Sequence, residues 1–494
     1  MLWRATRLLG LALLCAVLLP AAAEAKYPKP GEPVGPLTNT GRWFTDAKGR
    51  VVVLHGINMV AKRPPYLPSA LGFGADDAKF LARNGFNNVR LGLIYAGVEP
   101  QPGVYDDAYI ANTRRTSNRL ARQGVFTMVD FHQDLYNERF GGEGWPEWAT
   151  LDDGLPADPR PGFPVTYLTS PGMNRAFDNF WGNAPGPGGA GLQDRYAGAW
   201  ARVAEEFKRD DLVLGYDLMN EPWPGSVAAT CLNTVGCADF DRNKLGPMYS
   251  RMIESIRDVE QRHMIFSEPN VLFNFGANTS LPDLGENLGL SFHDYCLTGL
   301  VQGGPQSCDL ADELVFDNAE AHSDRTGDSL ILSEFGATQD VATLERVAKL
   351  ADEHMVSWQE WHYCGCDDPT TSGPGDEQAL VKDPSKPPVG DNVFRTKLEA
   401  LARPYPQVVA GTPTAWSFDP DTKRFDLDYT PKRAAGSGSF RRGLSLIFLP
   451  KIQYPRGYKL TVEGARRESP RNSKRLLLRT DRGAQRISVS VTSR

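Results

Sequence analysis

The 494-residue sequence lacks several patterns that mark common classes of protein. It has no long run of Lys or Arg and its formal net charge is −6, which argues against a nucleic-acid-binding protein. No G-x-S-x-G segment occurs, so the nucleophile turn of a serine hydrolase is missing. No G-x-G-x-x-G segment follows the first predicted strand, so a dinucleotide-binding fold loses its main support. We find no internal repeat.

Long apolar segments are absent beyond the N-terminus. There, Arg4 and Arg7 precede an apolar stretch over residues 8–19, and small residues in an A-x-A pattern follow up to Ala25. This order is typical of a cleavable export signal, because the apolar stretch is too short for a permanent membrane helix. We therefore expect residues 1–25 to be a signal peptide, the mature protein to be secreted, and the mature chain to have no transmembrane segment.

Cysteine is scarce, with seven in the whole chain and six after removal of the predicted signal. An even number in an exported chain favours disulfide bonds. Proximity in the sequence suggests the pairs Cys231–Cys237 and Cys296–Cys308, although spacing alone does not determine connectivity.

The last two cysteines, Cys364 and Cys366, have a single glycine between them, and a bridge between them would be strained. With His362 they could instead form part of a zinc site, but no fourth ligand is evident. We predict no metal site and no cofactor, and the pairing of these two cysteines stays open.

Between residues 50 and 402 short apolar runs alternate with longer amphipathic ones. Continuous runs of Val, Ile and Leu that alternate with helices indicate a parallel sheet covered on both faces. Eight such units favour a (β/α)8 TIM barrel over an open sheet, and the predicted fold class is α/β. The predicted strands are 50–58, 87–94, 125–132, 212–219, 264–268, 288–294, 329–336 and 355–361.

After Pro404 the apolar residues alternate with polar ones in short runs and no helical pattern recurs. This change predicts a C-terminal all-β sandwich domain over residues 404–494, with the catalytic barrel over residues 26–403. The basic residues within 463–479 are interpreted as a solvated face, and a contact with phosphate or a lipid headgroup is the alternative. The role of this domain is open, and a buttress for the barrel is our default interpretation.

The connection after the third predicted strand, residues 135–192, is unusually long and rich in Gly, Pro and aromatic residues. A loop of this length inside a compact domain is usually functional, and here it would overhang the active-site end of a barrel. Together with residues 270–285 it offers apolar side chains to an acyl chain. Packing of these side chains against each other over the barrel is the alternative.

Polar residues follow the C-terminal ends of the predicted strands, where active sites of such barrels lie. Among them, Glu221 and Glu334 suit hydrolysis of a glycosidic bond, with one carboxyl as acid and the other as nucleophile. We expect Arg90 and Tyr295 to contact Glu334 and to lower its pKa. Glu221, beside Asn220 and His293 but without a fixed cation, is expected to keep a raised pKa. The strand-end residues are Asn58, Arg90, His132, Asp134, Asn220, Glu221, His293, Tyr295, Glu334 and Trp361.

At these positions the chain resembles glycoside hydrolase family 5, with "MNEP" and "LSEFG" as the two signatures, over residues 40–400. The resemblance implies a retaining double displacement with Glu221 as acid/base and Glu334 as nucleophile, about 5 Å apart. It also implies that Arg90 and Tyr295 orient the nucleophile. By the same resemblance, His132 and Asn220 hold sugar hydroxyls, His293 belongs to the substrate-binding set and Trp361 forms a sugar platform.

Within that family, "VDFHQDLYNERFGGEGWPEWA" and "DLMNEPWPG" are similar to segments of bacterial endoglycoceramidases. Those enzymes cleave the bond between an oligosaccharide and ceramide, so the expected partner is a glycosphingolipid in a membrane or micelle. This resemblance adds Lys62, Asp134 and Gln302 as contacts to the first sugar, and Trp181 as a further wall of the cleft. Ordinary loop roles remain the alternative for Gln302 and Trp181.

Other activities fit the same strand-end residues. An endo-β-glucanase or mannanase would use the same carboxylates, and the sequence does not separate a relative that acts on galactosylceramide-type or sterol glycosides. From another class, a non-catalytic glycolipid-binding protein could use the same scaffold, but the presence of both glutamates argues against it. The sequence does not define the oligomeric state, the glycan series or a need for detergent or an activator.

Overall fold

The computed structural model describes residues 28–233, 235–295, 308–371 and 373–494. The predicted signal peptide lies outside these residues. Within them the chain forms a closed barrel of parallel strands and two further β-sheets. The helices are α1 (Ala75–Asn84), α2 (Tyr95–Val98), α3 (Asp107–Ala121), α4 (Thr166–Thr169), α5 (Pro171–Trp181), α6 (Leu192–Phe207), α7 (Ala238–Phe240), α8 (Gly246–Arg257), α9 (Asp309–Thr326), α10 (Val341–Glu353) and α11 (Arg395–Leu401).

Eight strands close the barrel, which confirms the predicted (β/α)8 fold. Every residue of these strands is buried, as expected for strands covered by helices outside and side chains inside. Three short N-terminal strands precede them: β1 (Thr38–Thr40), β2 (Trp43–Thr45) and β3 (Val51–Val52). The barrel strands are β4 (His55–Met59), β5 (Asn88–Ile94), β6 (Phe126–His132), β7 (Val213–Asp217), β8 (Met264–Ser267), β9 (Leu288–Asp294), β10 (Ser329–Phe335) and β11 (Ser357–Glu360).

The first predicted strand is in fact two strands of different sheets. Val51–Val52 pairs with β2 and with the C-terminal domain, whereas His55–Met59 pairs with β5 and β11 inside the barrel. The chain changes partner at Val53 and Leu54, whose backbone groups bond to Gln407 and to Ser357 and Trp358. Both halves are apolar, so the sequence pattern shows no break.

The C-terminal strands form two antiparallel sheets that share one core, which confirms the predicted sandwich. A seven-stranded sheet has the order β1-β2-β3-β12-β15-β18-β17 and a four-stranded sheet the order β13-β14-β19-β16. The N-terminal strands therefore complete the larger sheet. The strands are β12 (Tyr405–Val409), β13 (Thr412–Asp419), β14 (Arg424–Thr430), β15 (Leu444–Phe448), β16 (Tyr458–Glu463), β17 (Ala465–Arg467), β18 (Arg475–Thr480) and β19 (Ile487–Ser493).

The sandwich packs under the barrel, at the end where the strands begin. The hydroxyl of Tyr405 donates to the carbonyl of Gly85, the C-cap of α1, at 2.6 Å. Asp352, in the last turn of α10, accepts from Arg403 at 2.7 Å and from the indole of Trp416 at 2.8 Å. Because barrel helices run back toward the strand starts, these contacts leave the opposite end, with its βα loops, uncovered.

Most aromatic side chains of the long connection after β6 are buried and pack against one another or against α6. It contains α4 and α5, and its rings Trp145, Phe177 and Phe180 are buried in an aromatic cluster that includes Tyr196 of α6. Leu168, by contrast, is exposed. Of the two interpretations of this connection, packing over the barrel is therefore correct for most of its aromatic residues. Among the described residues no helix is both long and apolar enough to cross a bilayer.

Replacing Arg403 with Ala should destabilise the protein by about 3–5 kcal/mol, since it leaves the buried carboxylate of Asp352 without its cation. Urea unfolding, followed by tryptophan fluorescence, measures the change. Arg395→Ala is the matched control, because Arg395 pairs with Glu399 at an exposed site and should leave the midpoint unchanged. Equal effects of the two substitutions would contradict this assignment.

Candidate active site

One guanidinium, that of Arg90 on β5, organises the open end of the barrel. It is fully buried and its nitrogens bond to side chains that follow or end several other strands. The Nη1 group donates to Glu334 at 2.5 Å, Nε donates to Asp217 at 2.8 Å, and Nη2 donates to Asn220 at 2.9 Å and to Glu268 at 2.7 Å. This arrangement fixes both the predicted nucleophile and the asparagine beside the predicted acid.

Glu334, near the end of β10, has the partners that the sequence predicted. Arg90 contacts one carboxyl oxygen, and the hydroxyl of Tyr295 donates to the other at 2.9 Å. The predicted direction of its pKa is wrong, however. Burial raises the pKa of Glu334 above its ordinary value, and the nearby Glu221 raises it further, while His293 and Arg90 offset only part of this effect. The cation and the phenol can be predicted from the sequence, but the burial that outweighs them depends on the packing of the whole barrel.

Glu221 follows β7 in a left-handed backbone conformation, with φ of 43°, that a non-glycine residue adopts only when its surroundings impose it. Its Oε1 accepts from Asn274 at 2.7 Å and lies 2.9 Å from Nδ1 of His293. Carboxyl oxygens of Glu221 and Glu334 lie within 4.8 Å of each other. This distance suits direct attack by one carboxylate, because inverting enzymes need about 6.5–9.5 Å between the carboxyls to admit a water.

His293, on β9, lies between the two glutamates. Its Nδ1 is 2.9 Å from Glu221 and 3.6 Å from Glu334, and its Nε2 is 3.3 Å from Glu268. Burial alone would lower the pKa of His293, but the surrounding carboxylates outweigh burial and hold it well above 6.5. The surrounding carboxylates therefore favour the protonated, cationic form of the imidazole. This corrects the expectation that Glu221 has no fixed cation beside it.

Glu268, directly after β8, is a site residue that sequence reasoning missed. It is buried, and its two oxygens accept from Arg90 and from the backbone N–H of Glu221, each at 2.7 Å. Burial would raise the pKa of Glu268, but His293 and Arg90 outweigh it and keep the carboxyl ionised. Its place at a strand end is the one sign of it in the sequence, and it belongs to neither the "MNEP" nor the "LSEFG" signature.

A second cluster lies beside the glutamates and contains Lys62 and Asp134. The ammonium of Lys62 donates to Asp134 at 2.6 Å and lies 3.2 Å from Asp368. It also sits 4.6 Å from the ring centroid of Trp361, which stacks on His132. Lys62 holds the pKa of Asp134 well below its usual range despite burial. The structure thus brings four of the predicted sugar contacts together.

His132 is held by Asp130, whose oxygen lies 2.8 Å from Nδ1. Burial acts to lower the pKa of His132, but Asp130 outweighs it and the pKa rises to about 10. Its Nε2 makes no hydrogen bond of ordinary length to a described residue and lies 3.5 Å from a carboxyl oxygen of Asp134. The raised pKa favours a protonated ring whose Nε2 faces Asp134, and donation from Nε2 to a sugar hydroxyl stays a prediction.

Three other residues predicted to contact the sugar are Asn220, Trp181 and Gln302, and the structure gives a different result for each. Asn220 donates to the carbonyl of Gln133 at 3.0 Å and accepts from Arg90, so it also holds the loop of the acid in place. Trp181 is almost fully buried and donates to the carbonyl of Trp223, and a sugar contact for it stays a prediction. Gln302 lies outside the described residues.

The zinc site considered from the sequence has no free histidine ligand. Nε2 of His362 accepts from the backbone N–H of Val60 at 2.7 Å, and Nδ1 lies 2.8 Å from the carbonyl of Cys364. The two sulfurs of Cys364 and Cys366 face each other, with Cα atoms 5.1 Å apart.

For the predicted disulfides, the Cα atoms of Cys231 and Cys237 lie 4.7 Å apart, within the range that a disulfide needs. Cys308 caps α9, and Cys296, its predicted partner, lies outside the described residues.

Two buried carboxyls at this spacing, one bound to a guanidinium and a phenol, define the site of a retaining glycosidase on a TIM barrel. Comparison with known proteins agrees. The model of Cellulase (glycosyl hydrolase family 5) matches residues 45–367, and that of the Glycoside hydrolase family 5 C-terminal domain matches residues 403–492. The chain belongs to glycoside hydrolase family 5.

Relatives within the family are similar over most of their length. Endoglycoceramidase I of Rhodococcus hoagii (strain 103S) is 32% identical over 449 residues, which cover 88% of this chain and 84% of that protein. Endo-glycoceramidase II from Rhodococcus sp. superposes with a TM-score of 0.75 at 31% identity, over 92% of this chain and 99% of that one. Its complex with ganglioside GM3 superposes with a TM-score of 0.74 at 28% identity, over the same shares of the two chains.

Glu268→Gln should lower kcat for an aryl β-glycoside by about 100-fold, because the charge that fixes Arg90, His293 and the backbone of Glu221 is lost. Glu268 helps to raise the pKa of His293, so this histidine should lose its proton at lower pH in the variant. The alkaline limb of the pH–rate profile should therefore move to lower pH.

Glu286→Gln, at an exposed position, is the control and should change neither kcat nor the profile. A Glu268→Gln enzyme whose rate falls while its alkaline limb stays in place would rule out the role proposed for the charge.

Proposed function

We propose that this enzyme hydrolyses the β-glycosidic bond between oligosaccharide and ceramide in glycosphingolipids, with retention of configuration. The observation that carries the proposal is the two-carboxylate site on a chain that matches endoglycoceramidases over most of its length. The GM3 complex of one relative places a ganglioside on the same fold.

A lipid aglycone also accounts for the distribution of exposed apolar side chains. Ten large apolar residues are exposed in the described part of the chain. Eight of them lie in connections from a barrel strand to its helix, on the face of the active site, and Leu310 and Leu314 lie in the first two turns of α9. A water-exposed apolar surface is costly unless something apolar meets it, and a ceramide in a membrane or micelle would do so. These residues are Val104, Leu155, Val165, Leu168, Val227, Leu232, Val235, Leu310, Leu314 and Val389.

In the first step, the ionised carboxylate of Glu334 attacks the anomeric carbon while Glu221 gives its proton to the glycosidic oxygen, and ceramide leaves. Arg90 and Tyr295 hold the two oxygens of Glu334, so the nucleophile has one orientation. Esterification removes the negative charge of Glu334. His293 and Asn274 then stabilise Glu221 as a carboxylate.

In the second step, Glu221 takes a proton from water, whose oxygen attacks the same carbon and releases the oligosaccharide and the free Glu334 carboxylate. Both transition states carry positive charge on the sugar ring. The many carboxylates around Arg90 favour that charge. Lys62, His132, Asp134, Asn220 and Trp361 would bind the sugar on the glycone side.

Incubation with a panel of glycosphingolipids tests the substrate. We expect intact oligosaccharide and ceramide as products, and a loss of at least about 1000-fold in rate for Glu221→Gln and Glu334→Gln. Glu286→Gln serves as the matched control. Terminal monosaccharides as products would refute the endo assignment.

Cleavage of soluble β-glucan or mannan, without action on any glycolipid, would instead identify an endo-β-glucanase or mannanase. Selective release of galactose from galactosylceramide, or of sugar from a sterol glycoside, would identify an enzyme specific for galactosylceramide-type or sterol glycosides.

Export and disulfide formation are further proposals, supported by the N-terminal pattern and by the separation of Cys231 and Cys237. Secretion from a bacterial host should yield a chain that begins at Lys26, with the Cys231–Cys237 peptides linked in non-reducing mass spectrometry. A chain that keeps residues 1–25, or free thiols at both positions, would contradict this.

A further inference from the structure

The C-terminal sandwich differs sharply in charge from the rest of the chain. Residues 404–494 contain 18 Lys and Arg and 7 Asp and Glu, a formal charge of +11, whereas the whole chain has a net charge of −6. The remaining 403 residues are thus strongly acidic, with a formal charge of −17. Such an asymmetry between parts of one chain is typical of a module that meets an anionic partner.

Part of this positive charge lies along the outer edge of the seven-stranded sheet. On β18 Leu476 and Leu478 face the core, so Arg475 and Arg479 point to the other side. The strand register places Arg466 of β17 directly opposite Arg479. Two like charges in such a cross-strand pair repel each other. Here both arginines form an ion pair with the same carboxylate, that of Glu468.

The same edge continues into a cavity of about 320 Å³ between the sandwich and α1. It is lined by Arg475 of β18 and by Lys474 in the turn before that strand. From α1 it is lined by Lys79 and Arg83. Lys29 is the fifth cation of the lining, and Glu32, which pairs with Arg475, is the one carboxylate there among the described residues. Burial and the neighbouring cations Arg475 and Arg83 lower the pKa of Lys474.

The eight cations of this edge and cavity, which we call the basic strip, mostly lack a carboxylate partner. Within the described residues, ion pairs to the strip come from Glu468 and Glu32 alone. A fold that gathers repelling cations loses stability in isolation and regains it when an anion binds. Arg442 belongs to the edge because its backbone carbonyl accepts from Arg479 at 3.1 Å. The basic strip consists of Lys29, Lys79, Arg83, Arg442, Arg466, Lys474, Arg475 and Arg479.

We propose that the basic strip binds an anionic polysaccharide, a chain on which sulfate, phosphate or carboxylate groups recur. Its cations follow one strand edge and one cavity, and so match charges repeated along a polymer. Arginine, which forms more than half of the strip, binds such oxyanions through two parallel hydrogen bonds.

Two observations disfavour other anionic partners. The basic strip lies where α1 ends, below the barrel, whereas eight of the ten exposed large apolar residues of the described chain lie on the opposite, catalytic face. A bilayer that presents substrate to the catalytic face cannot meet the basic strip at the same time. The aromatic rings at the cavity, Phe86 and Phe448, are buried and cannot stack on the bases of a single-stranded nucleic acid.

Heparin serves as the probe with the full-length enzyme. We expect binding at about 0.15 M salt, measured by calorimetry, with an affinity that falls steeply as salt rises because counterions are released. The strip variant Arg83→Gln, Arg442→Gln, Arg466→Gln, Lys474→Gln should bind at least about 10-fold more weakly and with a shallower salt dependence.

The matched control removes four cations in or beside the four-stranded sheet: Lys423→Gln, Arg424→Gln, Lys432→Gln, Lys459→Gln. It changes the net charge equally and should bind heparin within about 2-fold of wild type if position matters. Equal losses in the two variants, or no binding by the wild type, would overturn the proposal. So would equal or tighter binding to duplex DNA or to vesicles of phosphatidylcholine with one-fifth phosphatidylglycerol.

Hydrolysis of a soluble aryl glycoside should be unchanged in both variants, so the outcome is independent of the proposed enzymatic function. If the fourfold strip variant fails to fold, the single substitutions Arg442→Gln and Arg466→Gln, both at exposed positions, keep the test intact. Each should weaken heparin binding by about 2-fold or more, and no loss in either would count against the proposal.

Discussion

The buried guanidinium of Arg90 is the interaction on which the active site depends. It takes a full positive charge into the barrel, where water cannot stabilise it, and Asp130, Asp217, Glu268 and Glu334 surround it. Since a buried charge is tolerated only with partners in good geometry, each of these carboxylates must stay in place. The same bonds aim Glu334 at the substrate, so the electrostatic need of one arginine also orients the nucleophile.

Carboxylates outnumber cations in this region, and protons must be distributed accordingly. Burial raises the pKa of Asp217 and of Glu334, while neighbouring carboxylates raise the pKa of His132 and of His293 and so favour their protonated forms. The histidines thus act as cations that hold acidic groups together. The site keeps a negative character, which suits a reaction whose transition state places positive charge on a sugar ring.

Much of this arrangement follows from the sequence, because strand ends of a barrel converge and eight of them were recognisable. The sequence predicts four residues at the rim that do meet there, namely Arg90, Glu221, His293 and Glu334. Glu268 was not, since a glutamate after a short apolar strand has no distinctive pattern. The predicted direction of the pKa shift of Glu334 is also wrong, because burial depends on all the packing around the barrel. Likewise, the break between β3 and β4 reflects the pairing of β3 with β12, a strand distant in the sequence.

The two ends of the barrel have different surfaces, one with exposed apolar residues and the other with cations, and this separation affects how partners can bind. The barrel strands are up to seven residues long, so about 20 Å of packed core lies between the catalytic face and the sandwich. Apolar loops at one end and cations at the other can therefore engage different partners without competing for space. If a polyanion holds the lower end near a cell surface, the effective concentration of glycolipid at the upper end rises without any change in the catalytic residues.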